Sequence, residues 1–479
     1  MTDPTEVLAD SNPVDDVSDA DLGDKRRNER YVQIVDAVSH RPDSSVPEAL
    51  EDGAEQEGYY RFVRNPNVED KALLTPHFEA TAERAGHLDE VLCIHDTTEF
   101  SFPVHNDEMR KHLARMSTNR QGFLWHSSLV CSADGTRAPL GLVATRAFVH
   151  QTDLVDEESE DYWDERGGLY DNEKWRWFDT VETSDRRLGD VERVIHVMDR
   201  EFDDFQLLFC MDVDGYDYVA RLHYDRNVST GERRSDYEKL HETLARKPWR
   251  GKRTIDLSAR TGSQASGTHP VRRSRKAQVQ ARCATVKLRR PDSVKADSAP
   301  DQIEVNVVEV RETNPPTGEE PVHWVLVTTL DVDTAEKLWK VVDHYRSRWT
   351  VEEYFKAIKT GCDYTSLQHR SAKTLLCALA ATAVVAHHLL VLRYLGRHCG
   401  DLPADAVVTE MQLRVLEATK PKFLSSSPTA QEAMMAVAGL GGHIKSNGDP
   451  GWQVLGRGYE RLLEYEHAFA LGMQAQTEK

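Results

Sequence analysis

The sequence predicts an α/β protein, a mixed β-sheet framed by helical segments at both ends. Three observations carry this reading. Two apolar runs, VLCIH (91–95) and VIHVM (194–198), each lead directly into an aspartate. Such runs read as buried strands. Further strand-like runs lie near them, at 122–135, 139–150, 218–224 and 324–330. Before about residue 86 and after 374 the periodicity is helical instead.

In chain order, residues 1–20 are acidic, carry Pro4 and Pro13 and show no periodicity, so a disordered tail is expected. Asp21 to Ala37 reads as an amphipathic helix with Tyr31, Ile34 and Val35 on one side. Short helices follow over 45–79, broken at Asn65-Pro66, with Tyr59, Tyr60 and Phe62 as their packing cluster. The runs 122–135 and 139–150 flank an Asp-Gly turn signal and predict a hairpin. A helix is expected near Thr180 to Leu188. Polar, alternating segments then predict a β-rich insert over about 225–320. After the run at 324–330, Asp333 with Glu336 suggests a capping box opening a long helix. The order places the two strands that lead into aspartates side by side. The expected divisions are 1–20, 21–85, 86–385 and 386–479.

Of 479 residues, 80 are acidic and 60 basic, a formal charge of −20 that by itself argues against a nucleic-acid binder. The distribution says more. Residues 1–24 hold eight carboxylates and no Lys or Arg, and KRRNER (25–30) then reverses the sign. Between Arg246 and Arg290 stand fourteen basic residues and one acid, Asp256. That stretch is either a solvated surface or an arm that contacts phosphates. The seven cysteines form no CxxC pair, so a zinc finger is not expected and a reducing cytosol is. MTDPTEVLAD lacks the basic patch and apolar run of a secretory signal. The most apolar stretch, Leu375 to Leu392, includes His387 and His388 and reads as a buried helix, with no membrane span expected.

Asp96 and Asp199 follow two predicted strands, and ligands of open α/β sheets bind beyond strand carboxyl ends. In YRSRWTVEEYFKAIKTG (345–361), Tyr345, Arg348, Glu352 and Lys359 fall within roughly a 60° arc of a continuous helix. A capping box of Thr350 with Glu353 would start a new helix and break that arc. The plainer reading of this face is a salt-bridged surface. Three convergent carboxylates suit two Mg²⁺ ions, which take oxygen ligands; ions about 3.5–4 Å apart can activate one oxygen and stabilise a leaving one. His95 and His126 lie near the first aspartate but are expected to be structural neighbours, not ligands.

At these residues the chain resembles the bacterial cut-and-paste insertion-sequence transposases of the DDE type that pass through a DNA hairpin. HDTTEF (95–100) and MDREFDD (198–204) match the strands carrying the first two catalytic aspartates, here Asp96 and Asp199. Tyr345, Arg348, Glu352 and Lys359 match the family's Y-R-E-K signature at full spacing, with Glu352 as third carboxylate. LGDKRRNER (22–30) and YYRFVRNPNV (59–68) resemble its DNA-recognition domain, TNPPTGEEPVHW (313–324) its Asn-Pro-Pro motif, and 439–462 its C-terminal segment. The resemblance implies a ribonuclease-H-like core interrupted by a β-rich insert, with helical N-terminal and C-terminal domains. It implies two Mg²⁺ ions per site, with Mn²⁺ as substitute. It further implies a homodimer acting in trans on transposon ends and target DNA, in a bacterial or archaeal cytoplasm. Candidate DNA contacts are Arg26, Arg27, Arg30, Arg61, Arg64, Arg221, Arg272, Arg273, Arg275, Trp324, Tyr345, Arg348 and Lys359. Trp324, 21 residues before Tyr345, is expected to receive a flipped base. A DNA-binding regulator and a nuclease without strand transfer are the alternatives, and a regulator needs none of the three carboxylates.

Overall fold

Strand pairing in the computed structural model builds one twelve-stranded sheet. The structure describes residues 3–9, 12–42, 44, 46–50, 52–104, 108–150, 173–257 and 273–477. The strands are β1 (Glu90–Pro103), β2 (Ala114–Ser117), β3 (Arg120–Ser132), β4 (Pro139–Phe148), β5 (Arg193–Met198) and β6 (Asp217–Arg221). The second half comprises β7 (Asn227–Ser229), β8 (Tyr237–Lys239), β9 (Lys252–Leu257), β10 (Arg275–Arg289), β11 (Gln302–Glu312) and β12 (His323–Thr328). β3 and β4 form the expected antiparallel hairpin, and β1 pairs antiparallel with β3 and parallel with β5. β5 pairs parallel with β6. The order β4-β3-β1-β5-β6 is that of a ribonuclease-H-like core. The β-rich stretch extends the same sheet, because β12 pairs antiparallel with β6 and carries β11 and β10 beyond it.

Helices α1 (Pro4–Ala9), α2 (Lys25–His40), α3 (Val46–Ala49), α4 (Gly53–Val63) and α5 (Asp70–Gly86) precede the sheet. Asp24 and Asp52 start α2 and α4 by accepting from the amides of Arg26 and Glu55. Within the sheet region lie α6 (Glu173–Arg187), α7 (Phe205–Val213) and α8 (Leu240–Ala245). After it come α9 (Ala335–Ser347), α10 (Trp349–Lys356), α11 (Ala372–His398), α12 (Glu410–Thr419), α13 (Ala430–Leu440) and α14 (Trp452–Thr477). Helix α11 is long and apolar enough to cross a membrane, yet its apolar window is wholly buried in the fold, as expected of a core helix.

Three expectations need correction. The acidic start is not featureless: α1 and a turn at Asp15–Val17 pack down, with Leu8 and Val17 buried. The reason is Asp16, whose carboxylate is held by Arg84 and His77 of α5, so a charge counted as solvated is compensated far along the chain. The cap of α9 is Thr334, which accepts from the Lys337 amide, while Asp333 pairs with the Lys337 ammonium. The stretch 345–361 is not one helix. It spans the end of α9, a break at Arg348, α10 and a π-helical turn at Ala357–Gly361.

Candidate active site

The register of β1 with β5 sets Ile94 opposite Val197. Each aspartate stands two residues further on, so alternation places Asp96 and Asp199 on one face at one level of the sheet. Asp199 is locally fixed, accepting from the Glu201 amide to start the turn at 200–202.

The break between α9 and α10 aims Arg348 at this face. Its guanidinium spans two carboxylates, with Nη1 2.7 Å from Asp96 Oδ2 and Nη2 2.5 Å from Glu352 Oε1. A strand residue and a helix residue 256 positions apart are therefore gathered on one cation. Burial pushes the Asp96 carboxyl up to about 7; Arg348 pulls it down, and the Asp199 and Glu352 charges push it up. Arg348 is held firmly protonated: burial opposes its charge, but Asp96, Glu352, Tyr345 and Asp199 outweigh burial.

Lys359 reaches the same strand face from the π turn. Its Nζ donates to Thr98 Oγ1 at 2.6 Å and lies 5.4 Å from the Phe100 ring centre. Burial lowers its pKa, against Glu99 and Asp96. Thr98 was not singled out from sequence. Its signal is the strand period, two residues after Asp96. On the other side, Tyr345 meets Trp324 ring to ring, centres 5.5 Å apart at 63°. Arg221 lies beside Tyr345 and donates to the His323 carbonyl at 3.3 Å. Arg221, Trp324, Tyr345, Arg348, Glu352, Lys359 and both aspartates thus lie around the middle of β1, which runs on past Asp96 to Pro103, and the carboxyl end of β5. His95 and His126 alternate onto the opposite face, buried, as expected of structural neighbours.

These residues fit divalent ions. The ligands offered are carboxylate oxygens, the donors hard cations prefer. Bound cations would offset both the burial and the neighbouring Asp199 and Glu352 charges that raise Asp96.

The remaining candidate arginines divide. Arg26 is 90% exposed and meets only the neighbouring Asp24. Arg27 donates to the Asn67 carbonyl, Arg30 lies against Gly58, Arg61 pairs with Glu57 one turn away, and Arg64 sits over the Tyr60 ring. These five share the α2–α4 region. Arg273 is exposed, while Arg272 lies outside the described residues. Arg275 is corrected: it opens β10 and is taken up by Glu312 and Glu319, 12% exposed, so its charge is spent inside the sheet.

Residues 14–68 match the transposase DNA-binding family, and residues 173–386 match the transposase DDE domain family. The first match holds the α2–α4 arginines. The second takes in Asp199 and Glu352, with Asp96 upstream of it. A solved structure of the piggyBac transposase synaptic complex with hairpin DNA is similar at 8% identity and a TM-score of 0.31, over 98% of this chain and 82% of that one.

Proposed function

The chain carries a transposase DNA-binding domain and a transposase DDE domain, and from that premise we propose that it is a cut-and-paste transposase working through a hairpin. The observation that carries the reading is the gathering of Asp96 and Glu352 on Arg348, with Asp199 level beside them. Asp96, Asp199 and Glu352 would hold two Mg²⁺ ions, for which Mn²⁺ would substitute. When bound, the ions activate the attacking oxygen and stabilise the leaving one. Arg348 gives up its carboxylates and, with Tyr345 and Arg221, holds the phosphate beside the cut. Lys359 binds the strand on the far side. Water attack frees a 3′-hydroxyl at the element's end, that hydroxyl attacks the opposite strand to close the hairpin, and a second water opens it. The 3′ ends are then joined to target DNA. Each step is an in-line displacement by an oxygen nucleophile, a water or a 3′-hydroxyl, so one set of carboxylates serves all.

Residues 21–85 recognise the inverted-repeat ends through Arg26, Arg27, Arg30, Arg61 and Arg64, with Arg273 on the backbone. Residues 86–385 perform the chemistry. Residues 386–479 hold a homodimer in which each subunit cuts the end bound by the other, in the cytoplasm. The test is the purified protein on DNA bearing the repeats that flank its gene, with Mg²⁺. Wild type nicks and excises. Asp96→Asn binds the ends and leaves them uncut; normal nicking by that variant would remove Asp96 from the site.

A further inference from the structure

The sheet face opposite the carboxylates carries a second, chemically different cluster. Cys93 and His95 alternate away from Asp96 on β1, and His196 stands opposite Cys93 on β5. All three are fully buried, and their donor atoms lie within 4.8 Å of one another. We propose that Cys93, His95 and His196 bind one Zn²⁺ ion, a site separate from the carboxylates that bolts β1 to β5 directly beneath them.

Three features argue for the ion. His95 Nε2 and His196 Nδ1 are 2.9 Å apart, a few tenths short of the ~3.3 Å between two nitrogen ligands on a tetrahedral zinc. Each ring presents its outer nitrogen to an orienting oxygen. His95 Nδ1 lies 2.9 Å from Ser128 Oγ, and His196 Nε2 lies 3.7 Å from Asp185 Oδ1. Zinc-bound histidines are oriented by such hydroxyl or carboxylate partners. His196 Nε2 also has no hydrogen-bond partner while buried, which is costly. When the ion replaces the shared hydrogen bond, the proton bridging the rings moves to an outer nitrogen, and His196 Nε2–H then points at Asp185. One Zn–S bond forms as the Cys93 S–H bond breaks, and one proton leaves. Thiolate with two imidazoles selects zinc over Mg²⁺, which takes oxygen. The three protein ligands leave one position, which a single water that enters with the ion fills.

The test uses the full-length protein, dialysed into metal-free buffer. Zinc is measured by mass spectrometry, and metal-stripped protein is titrated with Co²⁺. About one zinc per chain is expected, with a thiolate-to-cobalt band in the near ultraviolet. Both persist in Asp96→Asn, which spares this face, and in Cys131→Ser, which stands opposite Leu92 in the register and so alternates to the other face. Both are lost in Cys93→Ser. Zinc well below one per chain, or cobalt bound by wild type without the thiolate band, overturns the site. So does a band that survives Cys93→Ser. Wild-type spectra decide the matter if Cys93→Ser does not fold.

Discussion

Trp324 is half-buried on β12, opposite Val310, with one side of its ring against Tyr345. A ring so placed is braced by its neighbour and stays partly open to a ligand. Stacking on an aromatic offsets about 1–3 kcal/mol per base, comparable with the few kcal/mol that extruding a base costs. The proposed hairpin step needs a distorted duplex end, whereas the first nick does not. Trp324→Ala is therefore expected to leave nicking nearly intact and to lower hairpin yield about tenfold or more, since each 1.4 kcal/mol is a factor of ten. End-labelled DNA resolved into nicked, hairpin and open products reads this directly. An equal loss of nicks and hairpins would assign Trp324 to folding, and unchanged hairpins would exclude it from the step.

At the scale of elements, the π turn carrying Lys359 is buttressed by the C-terminal helix. Gly456 of α14 packs so closely that a Cβ there would lie 2.2 Å from the Gly361 carbonyl oxygen. Trp452 Nε1 donates to Glu353 Oε2 of α10 at 3.1 Å, and Arg393 of α11 also pairs with Glu353. Two residues on, Gly458 packs against α13, where a Cβ would lie 2.0 Å from the Val437 carbonyl. Both glycines meet backbone, which cannot swing aside as a side chain can. Either alanine substitution is expected to cost about 1–3 kcal/mol in denaturant unfolding. Gly456→Ala should also depress DNA cleavage beyond Gly458→Ala at equal folded fraction, because it alone displaces the segment holding Lys359. Matching cleavage by the two variants would uncouple α14 from the site.

For the molecule as a whole, Asp16 ties the acidic start to α5 and lies near α11. Arg84 meets both of its oxygens, at 2.6 and 3.1 Å, and His77 Nδ1 lies at 2.7 Å. Burial alone would raise this carboxyl, but the His388 ring 3.7 Å away, the His77 hydrogen bond and the Arg84 charge outweigh it and hold it far below its usual value. Burial keeps the His77 pKa low, so His77 donates as a neutral ring and Arg84 is the standing charge. A folded-state pKa below the unfolded one gives stability that is complete above the unfolded value of 3.8. It is lost as pH falls below that value, where only the unfolded chain takes up the proton. Asp16→Asn strands the Arg84 charge and should cost about 3 kcal/mol near neutral pH. The gap between wild type and variant should narrow as pH drops below about 4. Unfolding midpoints over a pH series check this, and a pH-independent gap would refute it.

Much of the core was legible because strands follow local pattern. The apolar runs into Asp96 and Asp199, the hairpin of β3 and β4 and the buried helix α11 all follow from periodicity and turn chemistry, which are properties of neighbouring residues. Tyr345, Arg348, Glu352 and Lys359 were legible as a spaced set, though not as one helix face. Arg348 with Glu352 is an i,i+4 pair that the spacing implies, whereas the reach of Arg348 to Asp96 exists only once α10 packs on β1. The same limit explains Asp16 and Arg275. Their charges look solvated in sequence because the partners that neutralise them, Arg84 and Glu312, stand 68 and 37 residues away. The cluster of Cys93, His95 and His196 was equally hidden, since it exists only once β1 and β5 lie side by side. Periodicity is local and is written in the chain. Which charges meet, and which side chains share a face, is decided by strand register and helix packing across the whole molecule.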